Sequence, residues 1–429
     1  MLSFFIFYFL LFLAINKILY TKLPLFLKLQ RTKRDMVIRR SMDNLPQELV
    51  SNILSRLPSR ELLKSKCVCK SWYNLITNPY FTTNYYSFHN KIHSHNLLVI
   101  QRPLISSLKT NISLLSPTLN DPKNHVSSSL INLPKEYISD HKYWSEIIGP
   151  CNGIYVLQGN PNVMMNPSLG QFKTLPESHL IDSSNGIYSL TDYASFGFDP
   201  KTNDYKVIVL KDVWLKETDE RQKGYWTSEL YSLNSNSWRK LDSKALPLPI
   251  EIRSSSSQVY TYVNHCCHWW SFVNDENSLG TKQDFVLSFD MVNEVFRKIK
   301  VPRICESSNE TFATLVPFEE SCTIGVIVRG NVKKHFDVWM MKDYWNEGSW
   351  IKQYSIDPIE LVINHRFMGV IGSNNFLWKC SDDDDYGLVL HEHESQKTRG
   401  IKVNDNGKYD DSFRAVVYKE SLVSLQRGN

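Results

Sequence analysis

A repeated pattern of strand, turn and aromatic residue constrains the fold of this chain more than any other feature. Each copy has an alternating strand, then a turn with Asn or Gly, then an aromatic residue that a basic residue usually follows. The aromatic residues of the four clear copies are Phe172, Trp238, Phe296 and Trp350. Their spacings are 66, 58 and 54 residues (238 − 172, 296 − 238 and 350 − 296). Periods of roughly 40–60 residues with several strands per unit are typical of propeller blades, whose small sheets bury their faces only against their neighbours.

The same pattern extends over most of the 429-residue chain. A weaker fifth copy begins at Gly387, and apolar residues around 96–116 supply another sheet, so we expect a propeller of about six blades. The segment 413–425 is expected to supply the strand that closes the ring. The pattern therefore predicts a large antiparallel β domain over residues 83–429, with a β-sandwich as the alternative because the spacing is irregular.

Residues 43–82 have a helical pattern instead, which makes the chain a multi-domain protein of the α plus all-β class. Apolar residues recur at spacings of three and four until Pro58 ends the first helix, and two more short helices follow, the last one closed by Asn78 and Pro79. Ser59 is expected to cap the second helix. About forty residues bury too little surface to fold alone without a disulfide or a metal. Either the β domain or a partner protein must therefore cover the apolar residues of this module.

The periodicity leaves both alternatives open, and a resemblance carried by the following residues favours a partner protein. The module contains Leu45-Pro46, Glu48-Leu49, Ile53-Leu54, Leu57-Pro58, Leu62-Leu63, Val68-Cys69-Lys70-Ser71-Trp72, Leu75-Ile76 and Phe81. This run resembles an F-box over residues 43–82 without a gap. The resemblance implies docking on the Skp-type adaptor of a cullin–RING ubiquitin ligase. The adaptor-binding positions that it implies are Leu45, Pro46, Ile53, Leu54, Leu57, Pro58, Val68, Cys69 and Trp72.

Motifs in the β domain carry a second resemblance. They are Gly149-Pro-Cys151-Asn-Gly153, Met165-Asn-Pro167, Phe196-Gly-Phe198-Asp199, Asn203-Asp204-Tyr205-Lys206-Val207 and Ser237-Trp238-Arg239. They are similar to the F-box-associated domain of plant proteins over most of residues 145–425. More narrowly, Trp339-Met-Met-Lys342 and the ending Phe413-Arg-Ala-Val-Val-Tyr-Lys-Glu-Ser-Leu422 resemble S-locus F-box proteins. The resemblance implies a role in pollen self-incompatibility, in which style ribonucleases are recognised for ubiquitination.

Residues 1–41 form a hydrophobic and then basic leader. Residues 2–15 are almost wholly apolar, but Asn16 and Lys17 interrupt them before the roughly 20 residues that a membrane span needs. We consider three interpretations: an upstream extension with the native start at Met42, an anchor that leaves the body facing the cytosol, and a secretory signal without the usual positive first region. The first two predict a cytoplasmic body, with membrane contact only if residues 1–41 are retained.

The distribution of charge argues against nucleic acid as a partner. The formal net charge is +5, but residues 1–41 contribute eight basic and one acidic side chain, which gives +7. The other 388 residues therefore sum to −2 (5 − 7) and offer no broad basic surface for phosphates. The eight cysteines are too few and too unevenly spaced for a disulfide scaffold.

Two short clusters have metal-ligand side chains, but their spacing is wrong for a metal site. His265-Cys266-Cys267-His268 lacks the spacing of two to four residues that zinc sites use, and neighbouring residues on a strand point to opposite faces. The His391-Glu392-His393 segment has no identifiable third ligand. No phosphate loop, nucleophile elbow or HExxH motif occurs. We therefore expect no cofactor, no metal and no catalytic activity.

Candidate target-binding residues lie on two polar stretches. The run Asp382, Asp383, Asp384 and Asp385 would suit a cationic protein such as a basic ribonuclease. A long mixed-charge loop is expected at 211–221, and Trp214, Tyr225 and Trp226 around it are candidate anchors. The predicted function is the substrate-recognition subunit of an SCF-type ubiquitin ligase, which joins an adaptor, and through it cullin and RING subunits, to a protein target. The alternatives are a carbohydrate-binding or hydrolytic propeller, or a membrane-anchored scaffold without a ligase link.

Overall fold

A computed structural model of the chain describes most residues from Pro46 to Gln426. The described ranges are 46–92, 97–101, 111–117, 126–133, 147–158, 161–177, 187–215, 226–242, 246, 250–253, 259–274, 282–302, 313–318, 322–329, 335–359, 362, 367–372, 374–380, 387–401 and 414–426. The chain forms two compact units, Met1–Leu54 and Ser55–Asn429. No helix in these ranges is long and apolar enough to cross a membrane, and the leader at 1–41 lies outside them.

Four helices precede the strands in the described part of the chain. They are α1 (Gln47–Leu54) in the first unit, and α2 (Ser59–Ser65), α3 (Lys70–Thr77) and α4 (Pro79–Ile92) in the second. The first three confirm the helical prediction, and α3 ends just before Asn78 as expected. Helix α4 was not predicted, because Asn78 and Pro79 were interpreted only as a stop signal. Pro is also favoured in the first turn of a helix, and Asn78 Oδ1 accepts a hydrogen bond from the Tyr80 N–H at 2.8 Å, which caps the new helix.

The described residues form 25 strands in six antiparallel sheets. Sheet 1 contains β1 (Leu97–Gln101), β2 (Asn111–Pro117), β3 (Val126–Ile131) and β25 (Arg414–Val417). Sheet 2 contains β4 (Ile147–Cys151), β5 (Ile154–Leu157), β6 (Val163–Asn166) and β7 (Gln171–Thr174). Sheet 3 contains β8 (Ile187–Asp199), β9 (Asp204–Leu215), β10 (Trp226–Ser232) and β11 (Ser237–Lys240). Sheet 4 contains β12 (Glu251–Ile252), β13 (Thr261–Val263), β14 (Cys266–Asn274), β15 (Lys282–Asp290) and β16 (Val295–Lys300); sheet 5 contains β17 (Ala313–Phe318), β18 (Thr323–Arg329), β19 (Phe336–Met341) and β20 (Trp350–Ile356); sheet 6 contains β21 (Phe367–Ile371), β22 (Asn375–Lys379), β23 (Leu388–Glu392) and β24 (Lys397–Ile401).

The sheets form a ring. Strands near the centre contact one another in the cyclic order β4, β8, β14, β17, β21, β25 and back to β4. In sheet 4, β12 and β13 pair with the inner edge of β14, and β13 also contacts β17. Strand β25, near the end of the chain, pairs with β1 and supplies the inner strand of sheet 1, so the predicted closing strand is confirmed. This arrangement confirms the predicted propeller, and the alternative prediction of a β-sandwich is wrong.

The repeat in the sequence corresponds to the hairpin that joins the third and fourth strands of a sheet. In sheets 3 and 4 the repeat aromatic lies opposite an aromatic residue of the preceding strand: Trp238 faces Tyr231 and Phe296 faces Phe289, with ring centroids 5.3 and 4.7 Å apart. The last turn residue of four of these hairpins has a positive φ: Gly170 (61°), Asn236 (51°), Glu294 (57°) and Gln396 (53°). Both features recur because each hairpin must reverse the chain tightly and cover the outer part of a blade.

Candidate functional site

The predicted adaptor-binding residues differ widely in exposure. Val68 is 41% exposed, Pro46 and Pro58 are also exposed, and Ile53, Leu57 and Cys69 are half-buried. Leu54 and Trp72, in contrast, are only 0% and 8% exposed, so their side chains belong to the interior in this conformation. Leu45 lies outside the described residues. The apolar stripe that identified the helices therefore mixes core residues with surface residues, because periodicity alone does not separate the two.

Two exposed tyrosines on the helices were missed by the sequence prediction. Tyr73 in α3 is 53% exposed, and Tyr80 at the start of α4 is 76% exposed. A signal for Tyr73 was present, since Trp72 and Ile76 define the buried side of α3 and the residue after Trp72 must point elsewhere. Together with Val68, they place three large exposed apolar side chains within residues 68–80. A concentration of this kind is typical of a surface that another protein covers.

A carboxylate from the end of the chain holds α2 and α4. Glu420 Oε2 accepts one hydrogen bond from the Tyr85 hydroxyl at 2.7 Å and another from the Ser59 N–H at 3.0 Å. Ser59 begins α2, and no side-chain capping bond is made at this end of the helix, so the prediction that Ser59 caps it is wrong. The acceptor comes from Glu420 instead. Burial and the charge of Glu420 together raise the pKa of Tyr85 well above its usual value, so this hydroxyl stays a donor.

The C-terminal segment 418–426 is itself fixed on sheet 2. The Ser421 N–H donates to Ser168 Oγ at 2.9 Å, and Asn166 Nδ2 donates to the Val423 carbonyl at 2.7 Å. Gly153, with a φ of 73°, leaves the space that this segment occupies, because a Cβ there would lie 2.7 Å from the Lys419 carbonyl oxygen. The segment therefore connects the helices α2 and α4 to one blade of the propeller through Glu420.

The structure places none of the predicted target-binding side chains at the described surface. Trp226 is only 5% exposed and packs against Tyr193, with ring centroids 5.8 Å apart. Trp214 lies in β9, opposite Ser189, and its side chain lies outside the described residues. The same is true of Tyr225 and of the acidic run Asp382, Asp383, Asp384 and Asp385.

The prediction of a loop at 211–221 is wrong for residues 211–215, and residues 216–221 lie outside the described residues. Residues 211–215 continue β9, and the side chains of Lys211 and Asp212 are buried. Lys211 is accommodated by an ion pair with Glu229, whose oxygen lies 2.9 Å from Nζ. The charged residues of this segment predict an exposed loop. The structure has a strand instead, because the ion pair between Lys211 and Glu229 compensates for the burial of the lysine charge.

The central channel of the ring is a small, mostly apolar cavity of about 120 Å³. Tyr260 and Tyr262 line it, but their hydroxyls already donate to the carbonyls of Phe196 and Phe198 at 2.6 and 2.7 Å. None of the described lining residues is Asp or Glu, so the channel offers no carboxylate pair for hydrolysis. Pockets for small ligands usually measure roughly 300–1,000 Å³. A protein target would therefore have to bind outside the channel.

The histidine and cysteine cluster at the start of β14 is used in packing. Burial lowers the pKa of His268 to about 4, so the neutral ring donates from Nδ1 to the Thr261 carbonyl and accepts at Nε2 from Tyr344 at 2.7 Å. Burial also raises the pKa of Cys266 to about 11. His391 in β23 bonds through Nδ1 to Thr398 Oγ1 at 3.0 Å. Among the described residues, no group of three or more His, Cys, Asp or Glu side chains could hold a metal ion.

A buried ion network joins sheets 3 and 4. Lys206 Nζ donates to Asp199 Oδ2 at 2.7 Å, to the Met291 carbonyl at 2.9 Å and to Glu294 Oε1 at 3.0 Å, and Glu294 also pairs with Arg239. Burial alone raises the pKa of Asp199, but hydrogen bonds from Lys206 and from the turn outweigh it, so the pKa lies below its usual value. The charged residues of the motifs at 196–199 and 203–207 therefore position neighbouring blades.

Comparison with known proteins gives two matches to families. Residues 98–425 match the family described as F-box associated beta propeller domain, and residues 42–84 match the F-box domain. The F-box protein CPR1 of Arabidopsis thaliana is 24% identical over 399 residues, which cover 90% of this chain and 91% of the relative. An F-box/kelch-repeat protein of the same plant is 26% identical over 337 residues, which cover 76% of this chain and 83% of the relative. A further Arabidopsis thaliana F-box protein is 25% identical, with 73% of both chains covered.

Proposed function

Because the chain belongs to the family of F-box proteins with an F-box-associated β-propeller domain, we propose that it is a substrate-recognition subunit of an SCF-type ubiquitin ligase. The helical module binds a Skp-type adaptor, which connects the chain to cullin and RING subunits. The observation that carries this proposal is the set of exposed side chains Val68, Tyr73 and Tyr80 in a segment that matches an F-box. Such residues lose apolar exposure when an adaptor covers them, which favours binding by about 25 cal/mol for each Å² removed from water.

The propeller selects the target in this proposal. Each of the six sheets serves as one blade in this proposal, and the target docks on the outside of the ring because the channel is small. The chain performs no chemistry itself. It raises the effective concentration of the target beside the ligase core, since both are bound by one molecule. The link from Glu420 to α2 and α4 fixes the direction in which the propeller presents the target.

The narrower resemblance supports a more specific target. The motifs at 339–342 and 413–422 resemble S-locus F-box proteins, which recognise style ribonucleases in self-incompatibility. The acidic residues 382–385 would attract a basic ribonuclease and raise its rate of association. We include a style ribonuclease in the proposal on these two grounds, with the body of the chain in the cytoplasm.

Co-purification with a plant Skp-type adaptor tests the adaptor role. Val68→Glu places a charge on a residue that is 41% exposed, so it disturbs the surface and leaves the core intact. The matched control is Ile351→Glu, because Ile351 in the propeller is 40% exposed. Trp72 is less suitable, since its replacement would also create a cavity.

The expected result is a stoichiometric complex for the wild type and for Ile351→Glu, with at least about tenfold weaker binding for Val68→Glu. Circular dichroism and the unfolding midpoint check that both variants are folded. An absence of binding by the wild type, or equal binding by all three proteins, would contradict the proposed adaptor surface.

A further inference from the structure

Large exposed apolar side chains on the described part of the propeller are confined to the outer strands of sheets 4 and 5 and the turn between β19 and β20. Val295 in β16 is 38% exposed, Trp345 in the turn is 39% exposed and Ile351 in β20 is 40% exposed. The four other sheets have none among their described residues. The exposed side chains of the other described outer strands, β7, β11 and β24, are all charged or polar, so this junction differs from them.

Three side chains at the junction form one surface. Val295 and Arg297 lie two residues apart on β16 and therefore project from the same face of the strand. The guanidinium carbon of Arg297 lies 4.8 Å from the centroid of the Trp345 ring, which reaches over from sheet 5. We call Val295, Arg297 and Trp345 the Trp345 patch. Ile351 follows Trp350, whose indole faces sheet 4, so it projects from the opposite face and is not part of the patch.

The turn that carries Trp345 holds it in a costly backbone conformation. Its φ is 77°, a region that residues other than Gly, Asn and Asp rarely adopt. Hydrogen bonds within the turn maintain this geometry: Ser349 Oγ donates to the Asn346 carbonyl at 2.7 Å, and Asn346 Oδ1 accepts from the Gly348 N–H at 3.1 Å. Strain that the surrounding structure maintains is often found at binding sites.

The tyrosine before Trp345 fixes the base of the patch. The Tyr344 ring contacts the Trp345 ring at an angle of 56°, with ring centroids 4.5 Å apart, and its hydroxyl donates to the buried His268 ring. The Lys300 N–H donates to Glu347 Oε1 at 3.0 Å, which joins β16 to the turn. An aromatic anchor that is already rigid in the free protein loses little conformational entropy when a partner binds.

The charges around the patch indicate the chemistry of the partner. Residues 295–300 and 342–352 contain five basic side chains and two acidic ones, and Asp290 and Glu294 precede them. The basic residues are Arg297, Lys298, Lys300, Lys342 and Lys352. Lys298 lies over Phe285 on the opposite face of β16, and Lys352 pairs with Asp337, so Arg297 is the cation that the patch itself presents. Arg297 lies close enough to Asp290 to contribute to lowering the pKa of that carboxyl group, but no carboxylate of a described residue is within ion-pair distance of Arg297. A guanidinium whose face lies over an indole keeps its N–H edge available for a further carboxylate.

We propose that the Trp345 patch is a docking surface for an acidic segment of a partner protein, in which an apolar side chain packs on Trp345 and Val295 while a neighbouring carboxylate binds Arg297. Trp and Arg are the residue types most enriched where interface energy concentrates. This surface goes beyond the proposed adaptor role and is opposite in charge to the acidic run at 382–385. It gives the propeller a second site, which accepts acidic sequences.

Fluorescence anisotropy of the full chain with short labelled peptides tests the proposal. The probe is a peptide in which glutamate alternates with leucine and tyrosine, and the matched peptides have lysine or glutamine in place of glutamate. The glutamate peptide should bind, and the lysine peptide should bind at least about tenfold more weakly because of the basic surroundings. Equal binding of the three peptides, or stronger binding of the lysine peptide, would overturn the proposal.

Two variants assign the binding to the patch. Arg297→Glu reverses the charge, and Trp345→Asn removes the indole while Asn tolerates the positive φ of the turn. Each should weaken binding of the glutamate peptide by about tenfold or more. The control Lys240→Glu changes an exposed lysine on the outer strand of sheet 3 and should leave binding within about twofold.

The remaining outcomes are also decisive. Unchanged binding in Arg297→Glu and Trp345→Asn would overturn the assignment, and self-association of the wild type that Trp345→Asn abolishes would assign the patch to a second copy of the chain instead. The result is independent of the adaptor role, since Val68→Glu should bind the peptide normally and Arg297→Glu should bind the adaptor normally.

Discussion

Replacement of Glu420 by Ala tests how the C-terminal segment holds the helices. The change removes the acceptor for the Tyr85 hydroxyl at 2.7 Å and for the Ser59 N–H at 3.0 Å. Both donor residues are buried, with exposures of 0% and 4%. The donors therefore have little access to water as a replacement partner.

The expected cost follows from these two bonds. A hydrogen bond to a charged acceptor contributes about 1.5–3 kcal/mol, and the Ser59 N–H loses this in full. Tyr85 loses less, because the Leu57 carbonyl lies 3.1 Å from its hydroxyl and offers a second acceptor. The local free energy of opening of α2 and α4 should fall by about 2–4 kcal/mol in total.

Hydrogen exchange of the full chain measures this local loss directly. Amides of α2 and α4 should exchange roughly 30 to 1,000 times faster in Glu420→Ala, since each 1.4 kcal/mol is about a factor of ten. Amides of sheets 4 to 6 should be unaffected. Glu420→Gln keeps one acceptor oxygen but loses the charge, so the free energy of opening of α2 and α4 should fall by about half as much as in Glu420→Ala.

The matched control is Glu177→Ala, because Glu177 is an exposed glutamate that follows β7 of sheet 2. This substitution should change the free energy of opening by no more than about 0.5 kcal/mol. The reasoning is refuted if Glu420→Ala leaves exchange in α2 and α4 unchanged. It is also refuted if Glu420→Gln costs as much as Glu420→Ala, because the carboxylate would then not act as the acceptor.

Three further predictions concern the propeller. Gly153→Ala should lower the free energy of unfolding in urea by several kcal/mol more than Gly170→Ala. Both glycines have a positive φ, but only a Cβ at position 153 meets the C-terminal segment. Equal losses of stability in the two variants would contradict the packing of that segment. Lys206→Met should lower the free energy of unfolding by about 3–5 kcal/mol in the same assay, because Asp199 is left buried without its cation. The control Lys201→Met changes an exposed lysine and should lower the free energy of unfolding by less than about 0.5 kcal/mol. Because the pKa of Asp199 is lowered on folding, its contribution to stability is present above the unfolded pKa of about 3.9 and is lost as the pH falls through the folded value. Lys206→Met should therefore show a smaller drop in the urea midpoint between pH 7 and pH 3 than the wild type, and an equal drop would refute this linkage.

The sequence predicted the parts of the fold in which the local pattern and the tertiary role agree. Trp238 and Phe296 were recognised because each follows an alternating strand and a tight turn, and in the structure each covers the preceding strand of its hairpin. The closing strand was predictable because 413–425 is apolar and β-branched. Helices α1 to α3 followed from the spacing of apolar residues.

The remaining features depend on contacts that a local pattern does not contain. Glu420 lies 361 residues from Ser59, so no motif could indicate that it accepts the Ser59 N–H. Trp226 was interpreted as an exposed anchor, but β10 places it in the core. Arg297 and Trp345 meet only because two blades are adjacent, and nothing in either segment of the sequence marks that contact.

The central claim is that the helical module binds an adaptor while the propeller stays free for a target. Hydrogen exchange of the full chain with and without a plant Skp-type adaptor tests this claim most directly. The account predicts slower exchange in residues 46–82, centred on the segment around Val68 and Tyr73, with no change in sheets 3 to 6. Slower exchange confined to the sheets, or no change anywhere at adaptor concentrations in the micromolar range, would contradict it.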